Sequence, residues 1–135
     1  MSVPAPIGRA RDELTAGHVL AVAGLTAQSV AVALRGALQV AEAALLLLDR
    51  VPPAGESAVV AAFLRHVVRE RGLDPEAGRR LRLLLNRQQL AEIGAPPLDV
   101  AQAALDDARC VIDLVGEWIC VSEEVARERE QNRER

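Results

Sequence analysis

Aromatic residues are nearly missing from this chain: Phe63 and Trp118 stand alone, and there is no Tyr. Proteins that hold single-stranded RNA or DNA by stacking bases on rings need more than that. Sheet proteins draw on aromatic and β-branched side chains, whereas the apolar half of this chain is mostly Ala, Leu and Val, the first two among the best helix formers. Lysine is absent as well, so all 16 basic residues are Arg, which we read as coding bias in a GC-rich genome. Against 19 acids they leave a net charge of -3, with no overall pull toward nucleic acid or membrane.

Cysteine and histidine are scarce too. Cys110 and Cys120 lie ten residues apart in one predicted helix, about 15 Å along its axis and beyond disulfide reach. Both are expected to be small buried hydrophobes. Two lone thiols and no secretory signal fit a reducing cytosol, so a cytoplasmic location is expected. No Cys-x-x-Cys, His-x-x-x-His or Glu-x-x-His spacing occurs, so neither a metal nor another cofactor is expected. His18 and His66 are the only imidazoles. Neither has a Ser or Cys nucleophile beside it, and both read as non-catalytic. His66, next to Arg65, is expected to be kept neutral by neighbouring cations.

What is present is helical pattern. With 135 residues the chain is one domain, with a Pro-rich loose start over 1–8, a helical bundle over 9–121, and a charged tail or helical extension over 122–135. A first helix is expected over 9–23, with a break at Gly24 and a restart at Thr26. The second, over 26–49, is the hub. Its polar positions Gln28, Arg35, Gln39, Glu42 and Asp49 form one narrow stripe on an apolar cylinder, and Ala37, Ala41 and Ala44 form a ridge for close approach. Arg35 and Glu42 are its structural polar residues, Glu42 pairing with Arg35 or with an Arg from another helix. The stretch from Leu14 to Leu34 has no formal charge but contains Gly17, His18, Gly24, Thr26, Gln28 and Ser29, so it is expected to be core rather than a membrane span.

Ser57 is the expected cap of a third helix running to Arg71, with Gly72 as its stop. Asp74-Pro75-Glu76 reads as cap, first position and acidic first turn of a fourth helix that ends near Ile93. In the fifth, Asp99 and Gln102 read as a capping-box-like pair. Ala101, Ala104, Leu105, Ala108, Ile112, Val115 and Ile119 take its inner face, while Asp106, Asp107, Asp113 and Glu117 take the outer one.

Charge is unevenly spread. Residues 65–87 hold seven Arg and three acids, and residues 88–135 five Arg and eleven acids. On the fourth helix Arg79, Arg82, Asn86 and Gln89 share one stripe, and Arg80 and Arg87 sit seven apart on another. Arg79, Arg82, Asn86 and Arg87 are the candidate binding surface, suited to phosphates or an acidic partner. Part of the cluster is open to being answered by the acidic fifth helix of the same chain or by that of a second subunit.

The order of these elements resembles the HEPN domain family, in particular its small stand-alone bacterial members, over residues 10–120. The segments carrying the likeness are VALRGALQVAEAALLLLDR, ESAVVAAFLRHVV, GLDPEAGRRLRLLLNRQQLAEIG and LDVAQAALDDARCVIDLVGEWI. Arg35, Ala41, Glu42, Ala43 and Leu45 match the family's central helix. Arg87 with Ala91, Glu92 and Ile93 approximates its later Arg helix, and Ala108 its final one. The resemblance implies an up-and-down bundle of four to five helices, commonly a homodimer, that often works beside a minimal nucleotidyltransferase in two-gene, toxin–antitoxin-type modules. Its catalytic members are metal-independent ribonucleases that use Arg-x(4–6)-His. Here Glu92 stands five residues after Arg87 where His would be, and Arg11 and His18 match the spacing only in the wrong helix. The expectation is therefore a non-catalytic protein that binds a partner protein or a nucleotide, with RNA not favoured. A ribonuclease with a degenerate site on Arg87 and Glu92, or Arg11 and His18, and an unrelated assembly scaffold remain the alternatives.

Overall fold

The computed structural model describes residues 4–134 and shows an all-α bundle of five helices, with no strand among the described residues. These are α1 (Ala5–Val22), α2 (Thr26–Leu47), α3 (Glu56–Phe63), α4 (Pro75–Ala91) and α5 (Leu98–Arg133). Residues Leu64–Arg69 continue α3 as a π-helical stretch. Residues 1–3 of the start expected to be loose, and Arg135 at the end of the charged tail, lie outside the described residues. The rest of that start is helical from Ala5: Pro6 sits in the first turn, where a missing N–H costs nothing. Ile7 is buried there and packs on Gly116 of α5.

The expected breaks are where they should be. At Gly24 (φ 83°) α1 closes with the Leu25 N–H on the Leu20 carbonyl and the Gly24 N–H on that of Ala21. Gly72 (φ 71°) ends the π-helical stretch in a similar way. Asp74 caps α4, its Oδ1 accepting the Glu76 N–H at 2.9 Å. Two caps differ from expectation. Gly55, not Ser57, precedes α3, which starts at Glu56. Pro97 holds the cap position of α5 and its carbonyl accepts from Val100 and Ala101, while Asp99 lies inside the first turn. A proline's fixed φ suits that extended entry, so no side-chain cap is required.

α2 is the hub. It touches every other helix, twelve of its 22 residues are buried, and the Ala37–Ala41–Ala44 ridge is fully closed. It is the one helix among the described residues long and apolar enough to cross a membrane, and that apolar length is used in packing. α1 and α5 run antiparallel, with Gly17 against Leu105, Ile7 against Gly116, and Arg11 bonded to Asp113 at 2.9 Å. α1 and α2 are antiparallel also, with Gly17 beside Ser29 and Gly36 beside Ala10. Ser29 Oγ donates to the Gly17 carbonyl at 2.8 Å, closing the buried seam. Phe63, Leu81, Leu84, Leu105 and Ile112 fill the centre, each contributing about 1.5–3 kcal/mol by leaving water.

α5 does not end where the charged tail begins. It runs unbroken through Ser122 to Arg133, so the tail takes the form of a helical extension.

Candidate functional site

The Arg-rich stretch organises itself around the start of α4. Asp74 caps the helix and Glu76 occupies its first turn, where an acid complements the helix dipole. Glu76 then accepts from two guanidinium groups: Arg79 three residues on, through Nε at 2.9 Å, and Arg80 four residues on, through Nε at 2.8 Å. These bonds, that from Arg79 foremost, hold the Glu76 carboxyl far below the usual carboxylate range, at about 2.

Arg80 also reaches across to α5. Its Nη1 donates to Asp107 Oδ1 at 2.9 Å, and Arg87 Nε donates to the other oxygen, Oδ2, at 2.9 Å. Asp107 was expected on the outer face of α5. Its side chain is instead 2% exposed, the one buried carboxylate among the described residues. The physical reason is that Arg80 and Arg87, two turns apart, form a fork that fills both oxygens. A buried carboxylate left without such partners would be very costly. The signal was in the spacing: Asp107 falls between Ala104 and Val111 at helical intervals, opposite two Arg seven apart.

Arg87 therefore lies apart from the other three candidate binding residues. Arg79, Arg82 and Asn86 share a hollow of about 300 Å³ with Leu64, Gly78 and Leu83. One wall is the π-helical stretch, and it comes close because residue 78 has no side chain: a Cβ there would fall within bonding-clash distance of Leu64 Cδ2. Such stretches are often found at functional sites. Arg82 is exposed and has no carboxylate within ion-pair distance among the described residues. The hollow thus offers one uncommitted guanidinium, one shared with Glu76, an amide and an apolar floor. That set suits a carboxylate or phosphate carried on an apolar stem.

Groups for proton transfer do not converge here. His66 Nδ1 lies 3.3 Å from Glu70 Oε2, so a carboxylate rather than cations alone faces it, and the contact lowers the Glu70 carboxyl below its usual range. His18 is exposed on α1, which does not touch α4. Arg11 is bonded to Asp113, and Glu92 is exposed at the end of α4. In the hub, Arg35 bonds Glu13 of α1 at 3.5 Å rather than Glu42, because seven residues put the two about 10 Å apart along the axis. Glu42 lies half-buried beside Gln39 and Gln88, without an ion pair among the described residues. The thiols differ from expectation: Cys110 is only partly buried and Cys120 is exposed. No set of three or more metal-ligating His, Cys, Asp or Glu side chains occurs among the described residues.

No family model, no curated protein and no solved structure matches this chain.

Proposed function

We propose that this chain is a non-catalytic, HEPN-like helical protein that acts by binding. In this reading it works as a homodimer in the cytoplasm of a bacterium, in a toxin–antitoxin-type module, and holds a nucleotidyltransferase-like partner protein or a nucleotide at the Arg79–Arg82–Asn86 hollow. The observation that carries the reading is the division of the arginines. Arg87, the residue the family's motif would make catalytic, is tied to buried Asp107 with no imidazole bonded to it. Arg82 is left uncommitted beside an apolar floor.

The test is affinity capture from the source organism's lysate by wild-type protein and by Arg82→Glu, with an RNA-cleavage assay in parallel. Recovery of a nucleotidyltransferase-like protein, or tight titration by a nucleotide, that is lost in Arg82→Glu at unchanged melting temperature supports the reading. RNA cleavage by wild type that Arg87→Ala abolishes overturns it in favour of a ribonuclease.

A further inference from the structure

α2 stops at Leu47, but α5 does not stop beside it. Gly36 of α2 lies level with Ile112 of α5, and the two helices run in the same direction. That register carries α5 about 15 Å past the last turn of α2. Trp118, Ser122, Val125 and Ala126 line one side of α5 from the last turn of α2 into this overhang. On the same side Val121, beside the last turn of α2, and Val125, in the overhang, are 54% and 41% exposed. Across from them stand Leu47 and Leu48, and the gap between the two walls is an open groove of about 530 Å³, floored by Trp118. Leu46 and Val51 are exposed next to it in sequence. A concentration of open apolar side chains around a groove marks a contact surface rather than ordinary solvated surface.

The charges say what fits. Arg71 and Arg129 line the groove with Asp49, and neither Arg has a carboxylate within ion-pair distance among the described residues. The overhang carries Glu124, Glu128 and Glu130, without an ion pair among the described residues, and Glu123 pairs with Arg127 at 3.9 Å. One molecule thus owns both an apolar slot lined by the unpaired Arg71 and Arg129 and a protruding ridge that carries an apolar stripe beside the unpaired Glu124 and Glu128. A surface that is its own complement closes by a two-fold axis. With three Glu and three Arg over residues 124–133, the overhang has no net attraction for an anionic lipid surface.

We propose that a second copy of this chain occupies the groove, each overhang lying in the slot of the other with Val121 and Val125 buried and Glu124 and Glu128 facing Arg71 and Arg129. This rests on the dimeric part of the reading above and is independent of the arginine hollow.

Sedimentation equilibrium of the full chain tests it. Wild type sediments at twice the 14.5 kDa chain mass, and Val121→Glu with Val125→Glu raises the dimer dissociation constant at least tenfold while helical circular dichroism stays unchanged. A charge swap separates pairing from simple damage. Arg71→Glu/Arg129→Glu protein and Glu124→Arg/Glu128→Arg protein each sediment as monomers alone and as a dimer when mixed. A wild-type dimer indifferent to the valine substitutions overturns this surface but leaves the dimeric reading standing. A wild-type monomer at every concentration overturns both.

Discussion

Arg87 and Asp107 form the pair on which the α4–α5 interface turns: Nε of Arg87 donates to Oδ2 of Asp107 at 2.9 Å, with the carboxylate 2% exposed and the guanidinium 29%. Arg80 completes the fork on the other oxygen. The arrangement makes Arg87 a packing residue and sets it apart from the hollow that Arg79, Arg82 and Asn86 share.

Truncation of this fork is expected to cost stability unequally. Asp107→Ala removes both bonds but leaves two guanidinium groups that remain able to reach water, a loss of about 1–2 kcal/mol. Arg87→Ala leaves the buried Asp107 carboxylate with Arg80 alone and costs about 3 kcal/mol. Urea unfolding measures both; an Asp107→Ala protein as stable as wild type contradicts the buried network.

Acid should reveal Glu76. Its carboxyl is held at about 2 against an ordinary 4.5, chiefly by the bond from Arg79 and then by that from Arg80. A depressed acid contributes stability that is complete above its unfolded value and lost as pH falls toward the folded one. Melting temperatures of wild type and Glu76→Gln are therefore expected to differ above pH 4.5 and to converge as pH falls toward 2. A constant difference across that window counts against the assignment.

Two glycines on neighbouring helices predict opposite signs. At Gly36 a Cβ would sit 3.1 Å from the Ala10 carbonyl oxygen, a backbone atom that yields only if α1 and α2 separate. Gly36→Ala is expected to destabilise by about 1 kcal/mol despite alanine's helix propensity. At Gly8 nothing lies within 4 Å, and Gly8→Ala gains up to about 1 kcal/mol. Thermal melts of the two variants decide it.

Asp49 offers a second stabilising change. It adopts a left-handed conformation (φ 58°) where α2 ends, with the Arg50 N–H on the Leu45 carbonyl and its own N–H on that of Leu46. An acid at the carboxyl end of a helix opposes the helix dipole. Asp49→Gly removes that repulsion and the backbone cost together, and is expected to raise stability by about 1 kcal/mol. A lower melting temperature would show that Asp49 holds another group.

The composition and periodicity of this chain determined its all-helical class, its five helices and their main breaks, because Ala–Leu spacing, Gly at left-handed positions and the Asp74–Pro75 start act within a few residues of themselves. They also located the arginines and placed Arg79, Arg82 and Asn86 on one face of α4. Only the tertiary structure decided which arginines are committed. The burial of Asp107 depends on two side chains from another helix, a non-local balance in which desolvation is offset only if both guanidinium groups arrive. It likewise decided that α5 outruns α2, since that requires the register of two helices 76 residues apart in Gly36 and Ile112. No helical period, read along one segment, contains the relative height of another.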